Sequence, residues 1–586
     1  MCYNRVNDIG GRRMAMRVKT TTSKHSISYY IIKDVETQAG KRSTKIVKAL
    51  GNSKEIAKAH PEYSDPLDWA KEQAALMTKA EMQDEVTLIQ KFNTKKLIKP
   101  NNQIVFNVGY LFLKNLYSAL GLSNVCHKIQ DKTAIKFSLN DALAQLIYTR
   151  ILFPNSKKAS QELFSSLLTF NTEPIQLHDV YRSLSLLAEN TDQIITQAYK
   201  NSQKIVKRNS KILYYDCTNY FFEIEQEDGI KRYGVSKEHR PNPIIQMGLF
   251  MDGSGIPLAF SLFDGNKNEQ PSMKPLEKKI LKDFDLSEVV VCTDAGLSSY
   301  DNRKFNDRFG RHYVTTQSIK KLANRQKKWA LDKHGWQLPG SDQIYSLDQL
   351  DLETDEHVYY KKLPINENGL EQYLFVTYSP QYLRYQRYIR NDQVTRAIKK
   401  VNNTSRLKHR NPNDPTRFIK EKHYTSDGEK ANKTQYMIDQ DKIKDEEKYD
   451  GFYGICTNLE ATPEELIAIT KGRWEIERCF RTMKTDFKAR PVYLQREDRI
   501  KAHFLTCFLA LLIWRLLKAK LNNIPVNKEL QETLKNMNVL EIKGEGYQPI
   551  YQRTQLTDKL HKAFGFRTDT ELIRRKSLKN LLRKIS

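Results

Sequence analysis

Two aspartates each end a short apolar run and could together hold a divalent cation. Asp216 ends the run 211–216, and Asp294 ends the run 287–294. If these runs form adjacent strands, the two carboxylates lie side by side at the strand ends, where like charges repel unless a cation neutralises them. Mg2+ and Mn2+ prefer such hard oxygen ligands. Aspartates at strand ends more often cap helices or form turns, so the pair alone leaves both interpretations open.

A row of charged residues lies in the segment 462–487, whose apolar spacing predicts one continuous helix that begins with a capping box at Thr462. At the period of an α-helix, Arg473, Glu477 and Lys484 fall on one narrow face. A neighbouring apolar stripe predicts that the helix packs on a sheet with the charged row at the rim of the contact. The stripe consists of Ile476, Phe480, Met483 and Phe487. A solvated Arg–Glu pair at i, i+4 is the alternative.

The charge of the chain indicates a polyanionic partner. Its 586 residues include 96 Lys plus Arg and 69 Asp plus Glu, which gives a formal net charge of +27. The surplus is uneven, because residues 211–310 hold 13 basic and 16 acidic residues. A metal-dependent nuclease needs a carboxylate cluster inside a basic frame, as this distribution provides. Chance variation between domains is the alternative explanation.

Several classes of protein are disfavoured by the sequence. The longest apolar run, Phe504–Trp514, has 11 residues, whereas a membrane span needs about 20. The seven cysteines never form a C-x-x-C pair, so neither a disulfide framework nor a cysteine zinc site is indicated. The first residues are basic but are not followed by an apolar segment. We therefore expect a reduced, cytoplasmic protein that does not contact a membrane.

The predicted elements place both aspartates in one sheet. An N-terminal β-hairpin (26–32 and 44–50) precedes helical stretches at 67–98 and 109–207. From residue 211 three strands, a helix, a strand, a helix and a further strand follow, with a turn at 252–255. This βββαβαβ order is that of the ribonuclease-H-like fold. The fold class we predict is therefore α/β, with a ribonuclease-H-like mixed sheet flanked by helices.

The same reasoning divides the chain into six regions. Residues 318–450 are too long for a loop of a compact domain and are predicted to be an insertion. The regions are a β-hairpin and helix for DNA binding (1–98), a helical DNA-binding or assembly domain (99–210), the first part of the core (211–317), a β-containing insertion subdomain (318–450), the core completion with the Glu477 helix (451–525) and a basic C-terminal tail (526–586).

The charged residues resemble a known signature. Arg473-x3-Glu477-x6-Lys484, together with Asp216 and Asp294, is similar to the DDE transposases of bacterial insertion sequences, in particular to the subgroup with a Tyr-x2-Arg-x3-Glu-x6-Lys signature. Two further segments, Gly234–Pro241 and Gly265–Glu269, also resemble segments of the family. Thr470 stands at the signature tyrosine position. The resemblance covers roughly residues 211–500.

The resemblance implies cut-and-paste transposition. Asp216, Asp294 and Glu477 would be the catalytic residues and the ligands of two Mg2+ or Mn2+ ions, which activate water and then the freed 3′-hydroxyl. Phosphate contacts are expected from Arg473, Lys484, Thr470, Lys237 and Arg240. A threonine hydroxyl at the tyrosine position has a shorter reach than a phenol.

The partners implied are double-stranded DNA, as terminal inverted repeats and as target, and a second copy of the chain in a synaptic homodimer. The resemblance also implies a bacterial, nucleoid-associated location. Some members of the subgroup hold a flipped base, for which Trp329, Trp336 and Trp474 are candidates.

Basic residues of the insertion are further candidates for DNA contacts. Arg384, Arg387 and Arg390 alternate with tyrosines on a predicted helix, a pattern suited to phosphates and stacked bases. A second basic run contains Lys327, Lys328 and Trp329. Solvated helix faces would show the same composition.

Two alternative functions remain open at this point. A ribonuclease-H-like nuclease or resolvase would cut DNA without joining it. A catalytically degenerate transposase would only bind DNA and repress, which the departure at Thr470 allows.

Overall fold

The computed structural model describes residues 16–23, 26–36, 42–84, 88, 93–100, 102–169, 175–403, 414–424, 433–522 and 527–585. The chain divides into two compact units, one up to residue 102 and one from residue 103 onward.

The first unit is a three-stranded antiparallel sheet with two helices. It consists of β1 (Arg17–Thr22), β2 (Ile27–Glu36), β3 (Arg42–Asn52), α1 (Ser53–Ala59) and α2 (Pro66–Asp84). The predicted hairpin is confirmed as the pair β2 and β3, although its turn lies outside the described residues. Tyr29, Ile56 and Ala70 form the buried core.

The second unit begins with the predicted helical region. Its elements are β4 (Val105–Asn107), α3 (Tyr110–Ala119), α4 (Leu122–Gln130), α5 (Leu139–Leu152), α6 (Lys157–Phe164), α7 (Leu177–Glu189) and α8 (Thr191–Ile205). Their apolar faces join a large core that extends under the sheet.

A large mixed sheet follows. Its strands and the helices between them are β5 (Ile212–Phe221), β6 (Ile244–Asp252), β7 (Pro257–Asp264), α9 (Met273–Asp283), β8 (Val290–Thr293), α10 (Tyr300–Phe305), β9 (His312–Gln317), α11 (Asn324–Leu331), β10 (Trp336–Gln337), β11 (Ile344–Tyr345), β12 (Tyr359–Glu367), β13 (Leu370–Tyr378) and β16 (Phe452–Thr457). The sheet order is β11-β10-β12-β13-β16-β9-β8-β5-β6-β7. β5, β8 and β9 are parallel, whereas β6 and β7 are antiparallel to their neighbours.

The segment 318–450 is only partly a separate body. Its strands β10–β13 extend the central sheet through the pairing of β13 with β16, so this part of the predicted insertion subdomain is continuous with the sheet of the core. The remainder has a small core of its own around Ala397 and Phe418. It consists of α12 (Pro380–Asn403), β14 (Ile419–Tyr424), β15 (Lys433–Ile438) and α13 (Gln440–Glu447).

The last part of the chain closes the fold. It contains α14 (Pro463–Gly472), α15 (Trp474–Arg481), α16 (Glu497–Lys520), α17 (Asn527–Asn536), β17 (Asn538–Ile542), β18 (Gly546–Pro549), α18 (Gln555–Phe564), β19 (Ile573–Arg574) and α19 (Arg575–Lys584). β17 pairs with β4, and the Asn107 amide donates to the Leu534 carbonyl at 2.9 Å. The described part of 526–586 is therefore folded and not a tail, a correction of the sequence prediction.

Helix α16 is the central helix of the second unit. By length and composition it is apolar enough to cross a membrane, but 89% of its most apolar window is buried inside the protein. It packs against α3, α5, α7 and β7. Burial in the core accounts for its apolar composition.

A buried ion pair fixes the start of the sheet to the helices. Arg208 Nε donates to the Asp252 carboxylate at 2.6 Å, and the two side chains are 1% and 0% exposed. Arg208 also donates to the Ile256 and Pro257 carbonyls at 3.0 Å. Asp252 in turn accepts from the backbone N–H groups of Ser254 and Ile256, so the pair is fully hydrogen-bonded.

We predict that Arg208→Met destabilises the fold by about 3–5 kcal/mol, because it leaves the Asp252 carboxylate buried without its counter-ion. Urea unfolding of the two proteins measures the difference. The double variant Arg208→Met/Asp252→Asn should recover part of the loss. A single variant as stable as the wild type would contradict this role of the pair.

Candidate active site

Asp216 and Asp294 lie next to each other on adjacent parallel strands. β5 and β8 pair in parallel with Tyr215 opposite Thr293, and each aspartate is the next residue along its chain. Asp294 directly follows β8, as predicted. Asp216 instead lies in the middle of the ten-residue strand β5, which corrects its predicted place at a strand end, because β5 continues along β6 beyond the end of β8.

Alternate residues of β5 face the helices that follow β16. The Tyr214 hydroxyl donates to the Ile469 carbonyl at 3.0 Å, and the Tyr220 hydroxyl contacts Met483 Sδ at 3.8 Å. Asp216 lies between these two tyrosines on the same face, since side chains alternate along a strand. The strand therefore presents Asp216 to the segment that carries the signature residues.

The predicted continuous helix 462–487 is interrupted at Arg473. α14 ends at Gly472 and α15 begins at Trp474. The Tyr214 hydroxyl donates to the Ile469 carbonyl, and the Arg473 N–H donates to the Thr470 carbonyl, three residues back, at 3.3 Å. A Cβ at Gly472 would lie 2.0 Å from the Tyr214 hydroxyl oxygen. The break coincides with this contact to β5 and directly follows Gly472, a residue of low helix propensity.

Lys484 lies in a second irregularity. Residues Thr482–Asp486 form a π-helical turn after α15, whose wider spacing shifts later residues relative to a regular α-helix. Arg473 and Glu477 keep the i, i+4 contact of a common helix face, with their side chains 3.4 Å apart, whereas the π-helical turn shifts Lys484 from the position that a regular helix would give it. The apolar stripe beside it is confirmed as buried: Ile476, Phe480, Met483 and Phe487 are 6% exposed or less.

The Asp216 carboxylate is the electrostatic centre of the site. Burial raises its pKa to about 7; the Lys237 ammonium opposes the shift, the Asp294 carboxylate adds to it, and Arg473 opposes it. Two adjacent carboxylates, one of them poorly solvated, are a donor set that suits a hard divalent cation. These two residues therefore fit the metal site that the sequence predicts.

Lys237 connects the two family-like segments, Gly234–Pro241 and Gly265–Glu269, with the strand that carries Asp216. Its ammonium donates to the Cys217 carbonyl at 2.6 Å and pairs with Glu269 at 3.0 Å. Burial disfavours this charge, but Asp216 and Glu269 outweigh it and raise the pKa of Lys237. A permanent cation thus lies beside Asp216.

Glu477 lies at the edge of the site and not with the two aspartates. Its carboxylate pairs with Arg473 at 3.4 Å, and its side chain is 55% exposed. Arg473 is close enough to both Asp216 and Glu477 for their charges, with Tyr453, to outweigh burial and raise its pKa. In the described residues no three His, Cys, Asp or Glu side chains form a metal-binding group. The structure thus brings Asp216 and Asp294 together and places Arg473 between them and Glu477.

Two predicted phosphate contacts are engaged within the protein. The Thr470 hydroxyl donates to the Leu466 carbonyl of its own helix at 2.7 Å. The Arg240 guanidinium stacks on Phe221, 4.2 Å from the ring centre. The Arg240 guanidinium therefore lies at the Phe221 end of β5, where the Phe221 ring orients it. The Thr470 hydroxyl proton is used within its own helix and is not donated toward the aspartates.

The arginines of α12 differ from one another. Arg390 is buried in an ion pair with Asp450, with Nη1 2.7 Å from the carboxylate, and Arg384 donates to the Leu352 carbonyl at 2.5 Å. The proposed DNA contact of Arg390 is corrected, because a buried guanidinium does not reach a phosphate. Arg387 is exposed. The sequence could not separate them, since the partners are distant in the chain.

The three tryptophans that are candidates for holding a flipped base differ in exposure. Trp336 is fully buried, Trp474 is 49% exposed, and Trp329 is partly buried beside Lys361. Lys327 is partly buried and Lys328 is exposed. Trp474 lines a groove of about 680 Å3 that also includes Thr470, Arg473, Tyr382 and Tyr385.

Comparisons with known proteins bear on this site. The family model described as a transposase DDE domain matches residues 220–513. The match includes Asp294 and the segment 473–484, and begins four residues after Asp216. No curated protein matches the chain.

Two solved structures are similar to the chain at low identity. One is the synaptic complex of the piggyBac transposase with hairpin DNA, with 8% identity, coverage of 81% of this chain and 84% of that chain, and a TM-score of 0.35. The other is the Mos1 transposase paired-end complex with the left transposon end, with 13% identity, coverage of 43% and 68%, and a TM-score of 0.12.

The family model covers half of the chain, and the match spans the sheet from the end of β5 through α15 and into α16. It includes one of the two adjacent aspartates and the Arg473–Glu477 pair beside them. This protein belongs to the family of transposases with a DDE domain.

Proposed function

We propose that the protein cleaves DNA at the ends of an insertion sequence and joins the freed 3′-hydroxyl to target DNA. The observation that carries the proposal is the pair Asp216 and Asp294 on adjacent parallel strands, with Lys237, Arg473 and Lys484 within electrostatic range of Asp216. Carboxylates with several cations nearby suit a reaction in which a metal ion and a phosphate must be held together. The strand order β7-β6-β5-β8-β9 supports a ribonuclease-H-like core.

Transposases of this family generally use divalent metal ions, and Asp216 and Asp294 would hold Mg2+ or Mn2+ with Glu477 as the third ligand. Bound there, the metal supplies Lewis-acid activation of the attacking oxygen. Glu477 does not contact the two aspartates; its carboxylate pairs with Arg473, which interacts with Asp216. A DNA phosphate that takes Arg473 as its partner would leave the Glu477 carboxylate available.

The cations of the site would bind the DNA phosphate, whereas the carboxylates would bind the metal ion. Arg473 and Lys237 both lie within electrostatic range of Asp216 and would bind non-bridging phosphate oxygens by charge-assisted hydrogen bonds. They hold the scissile phosphate in place and stabilise the negative charge of the transition state. Because these cations already lie near Asp216 before the reaction starts, they need not rearrange while the phosphate reacts.

The partner we propose is duplex DNA carrying terminal inverted repeats, held by two copies of the chain in a synaptic complex, in a bacterial nucleoid. The net charge of +27 supports a polyanionic partner. The half-exposed Trp474 next to Arg473 in the chain has the Arg478 guanidinium 3.5 Å from its ring centre, and we propose that this pair stacks on an unpaired base.

Product analysis tests the function. Purified protein is incubated with Mg2+, a labelled duplex carrying the inverted repeat that flanks the gene, and a supercoiled target plasmid. We expect joined products in which the 3′ end of the duplex is linked to plasmid DNA. Nicked or cut ends without joined products would contradict strand transfer and favour a nuclease; binding without any cut would favour a repressor.

A further inference from the structure

A carboxylate that the function does not require binds two cations of the site. Glu238 Oε1 pairs with Lys484 Nζ at 3.0 Å, and its other oxygen pairs with the guanidinium of Arg490. The side chains of Lys484, Glu238 and Arg490 are 13%, 22% and 26% exposed. One carboxylate therefore pairs with two partly exposed cations, and the cluster of three side chains keeps a net charge of +1.

The two cations lie on the active-site face of β5. Lys484 Nζ is 5.3 Å from the centre of the Tyr220 ring, and Tyr220 is four residues beyond Asp216, roughly 13 Å along the strand. Lys484 is also within electrostatic range of Asp216 and Lys237. Lys484 therefore lies beyond Asp216 along β5, on the strand face that Asp216 shares with Tyr220.

Glu238 binds these cations as a phosphate would. A carboxylate presents two oxygens to Lys and Arg in the geometry that two phosphate oxygens adopt. Burial and the Lys237 charge lower the pKa of Lys484 to about 8, and the Asp216 charge opposes this shift. The loop that carries Glu238 is anchored by Lys237 on Cys217 and Glu269, so the Glu238 side chain can leave without displacing its backbone.

We propose that Lys484 and Arg490 form a binding site for a backbone phosphate next to the scissile one, and that Glu238 occupies this site until DNA displaces it. The proposal rests on the proposed function only for the identity of the ligand as DNA. It assigns a phosphate contact to Arg490 and makes Glu238 a residue that limits the affinity for DNA.

Duplex binding without metal tests the proposal. Binding of a fluorescein-labelled duplex is measured in EDTA over a range of salt concentrations for the wild type, Glu238→Gln and Arg490→Gln. We expect Glu238→Gln to bind about three- to tenfold more tightly, because a phosphate no longer competes with a carboxylate. Its salt dependence should equal that of the wild type, because the same phosphate is bound in both proteins. Arg490→Gln should bind more weakly, with a slope shallower by about one.

Asp348→Asn is the matched control. It also removes one negative charge, from an exposed pair with Lys333 at 2.6 Å. If Glu238→Gln gains no more affinity than Asp348→Asn, or binds more weakly than the wild type, the inference is wrong. Melting temperatures show whether each variant folds; if Glu238→Gln does not, an unchanged slope in Arg490→Gln overturns the inference by itself.

The outcomes separate this inference from the proposed function. A wild type that binds no duplex contradicts the proposed function and the inference together. A wild type that binds and joins DNA while Glu238→Gln behaves like Asp348→Asn contradicts the inference alone. A gain of affinity in Glu238→Gln without any cleavage by the wild type supports the inference and contradicts the proposed function.

Discussion

Asp216→Asn is expected to lower DNA cleavage and strand transfer by at least about 10^3-fold while leaving duplex affinity unchanged or higher. Losing one preorganised charge from a catalytic site typically costs about 10^2–10^3-fold, and here the same charge would also hold the metal. Asparagine matches aspartate in shape, so the strand pairing of β5 is preserved. Affinity does not fall, because the change removes a negative charge that faces a phosphate.

Asp294→Asn and Glu477→Gln should show the same pattern. Asp294 has an additional local role, since its carboxylate accepts from the Leu297 N–H at 3.1 Å, a bond that an asparagine carbonyl can still accept. Glu477→Gln also loosens the pair with Arg473. Cleavage and joining in Mg2+ are measured beside duplex binding in EDTA, with Asp348→Asn as the control for an exposed carboxylate. Near-wild-type strand transfer by any one variant would exclude that residue from the catalytic set.

The approach of the two aspartates could be predicted from the sequence, because a carboxylate after a buried run is a local signal. The length of β5 could not, since Asp216 interrupts an apolar pattern that continues to Phe221. Only the pairing with β6, fixed by the rest of the sheet, shows that the strand passes through this residue. The sequence therefore predicts correctly that Asp216 lies beside Asp294, but it places Asp216 at the end of its strand and not in the middle.

The charged residues outside the aspartate pair were harder to predict, because their partners are distant in sequence. Arg390 fits an exposed stacking pattern, yet its partner Asp450 is 60 residues away. Glu238 resembles a solvated loop residue, and its contacts with Lys484 and Arg490 exist only in the folded protein. Composition indicates how many cations are present, whereas tertiary packing decides which of them are available to DNA.

Gly472→Ala is expected to lower cleavage by about 10^2-fold. Gly472 has ordinary helical geometry, so alanine is acceptable to the backbone, but the new Cβ would lie 2.0 Å from the Tyr214 hydroxyl oxygen and 2.7 Å from its ring carbon. Tyr214 is 3% exposed and cannot move outward. The start of α15 must therefore shift away from β5 and take Arg473 with it, and a displacement of about 1 Å costs on the order of 10^2-fold in rate. Overpacking of this kind also destabilises a fold by about 1–3 kcal/mol.

A second substitution on β5 distinguishes displacement of Arg473 from general damage. Tyr214→Leu removes the atoms that the new Cβ would meet, so Gly472→Ala/Tyr214→Leu should cleave faster than Gly472→Ala alone. Tyr214→Phe removes only the hydroxyl and leaves the ring carbon 2.7 Å from the Cβ of an alanine at position 472. In the Gly472→Ala background it should therefore restore less activity than Tyr214→Leu. Cleavage rates and urea unfolding of the four proteins of the leucine cycle give the coupling between the two positions. If Gly472→Ala alone keeps its stability and cleaves within about twofold of the wild type, the contact between α14 and β5 does not position Arg473.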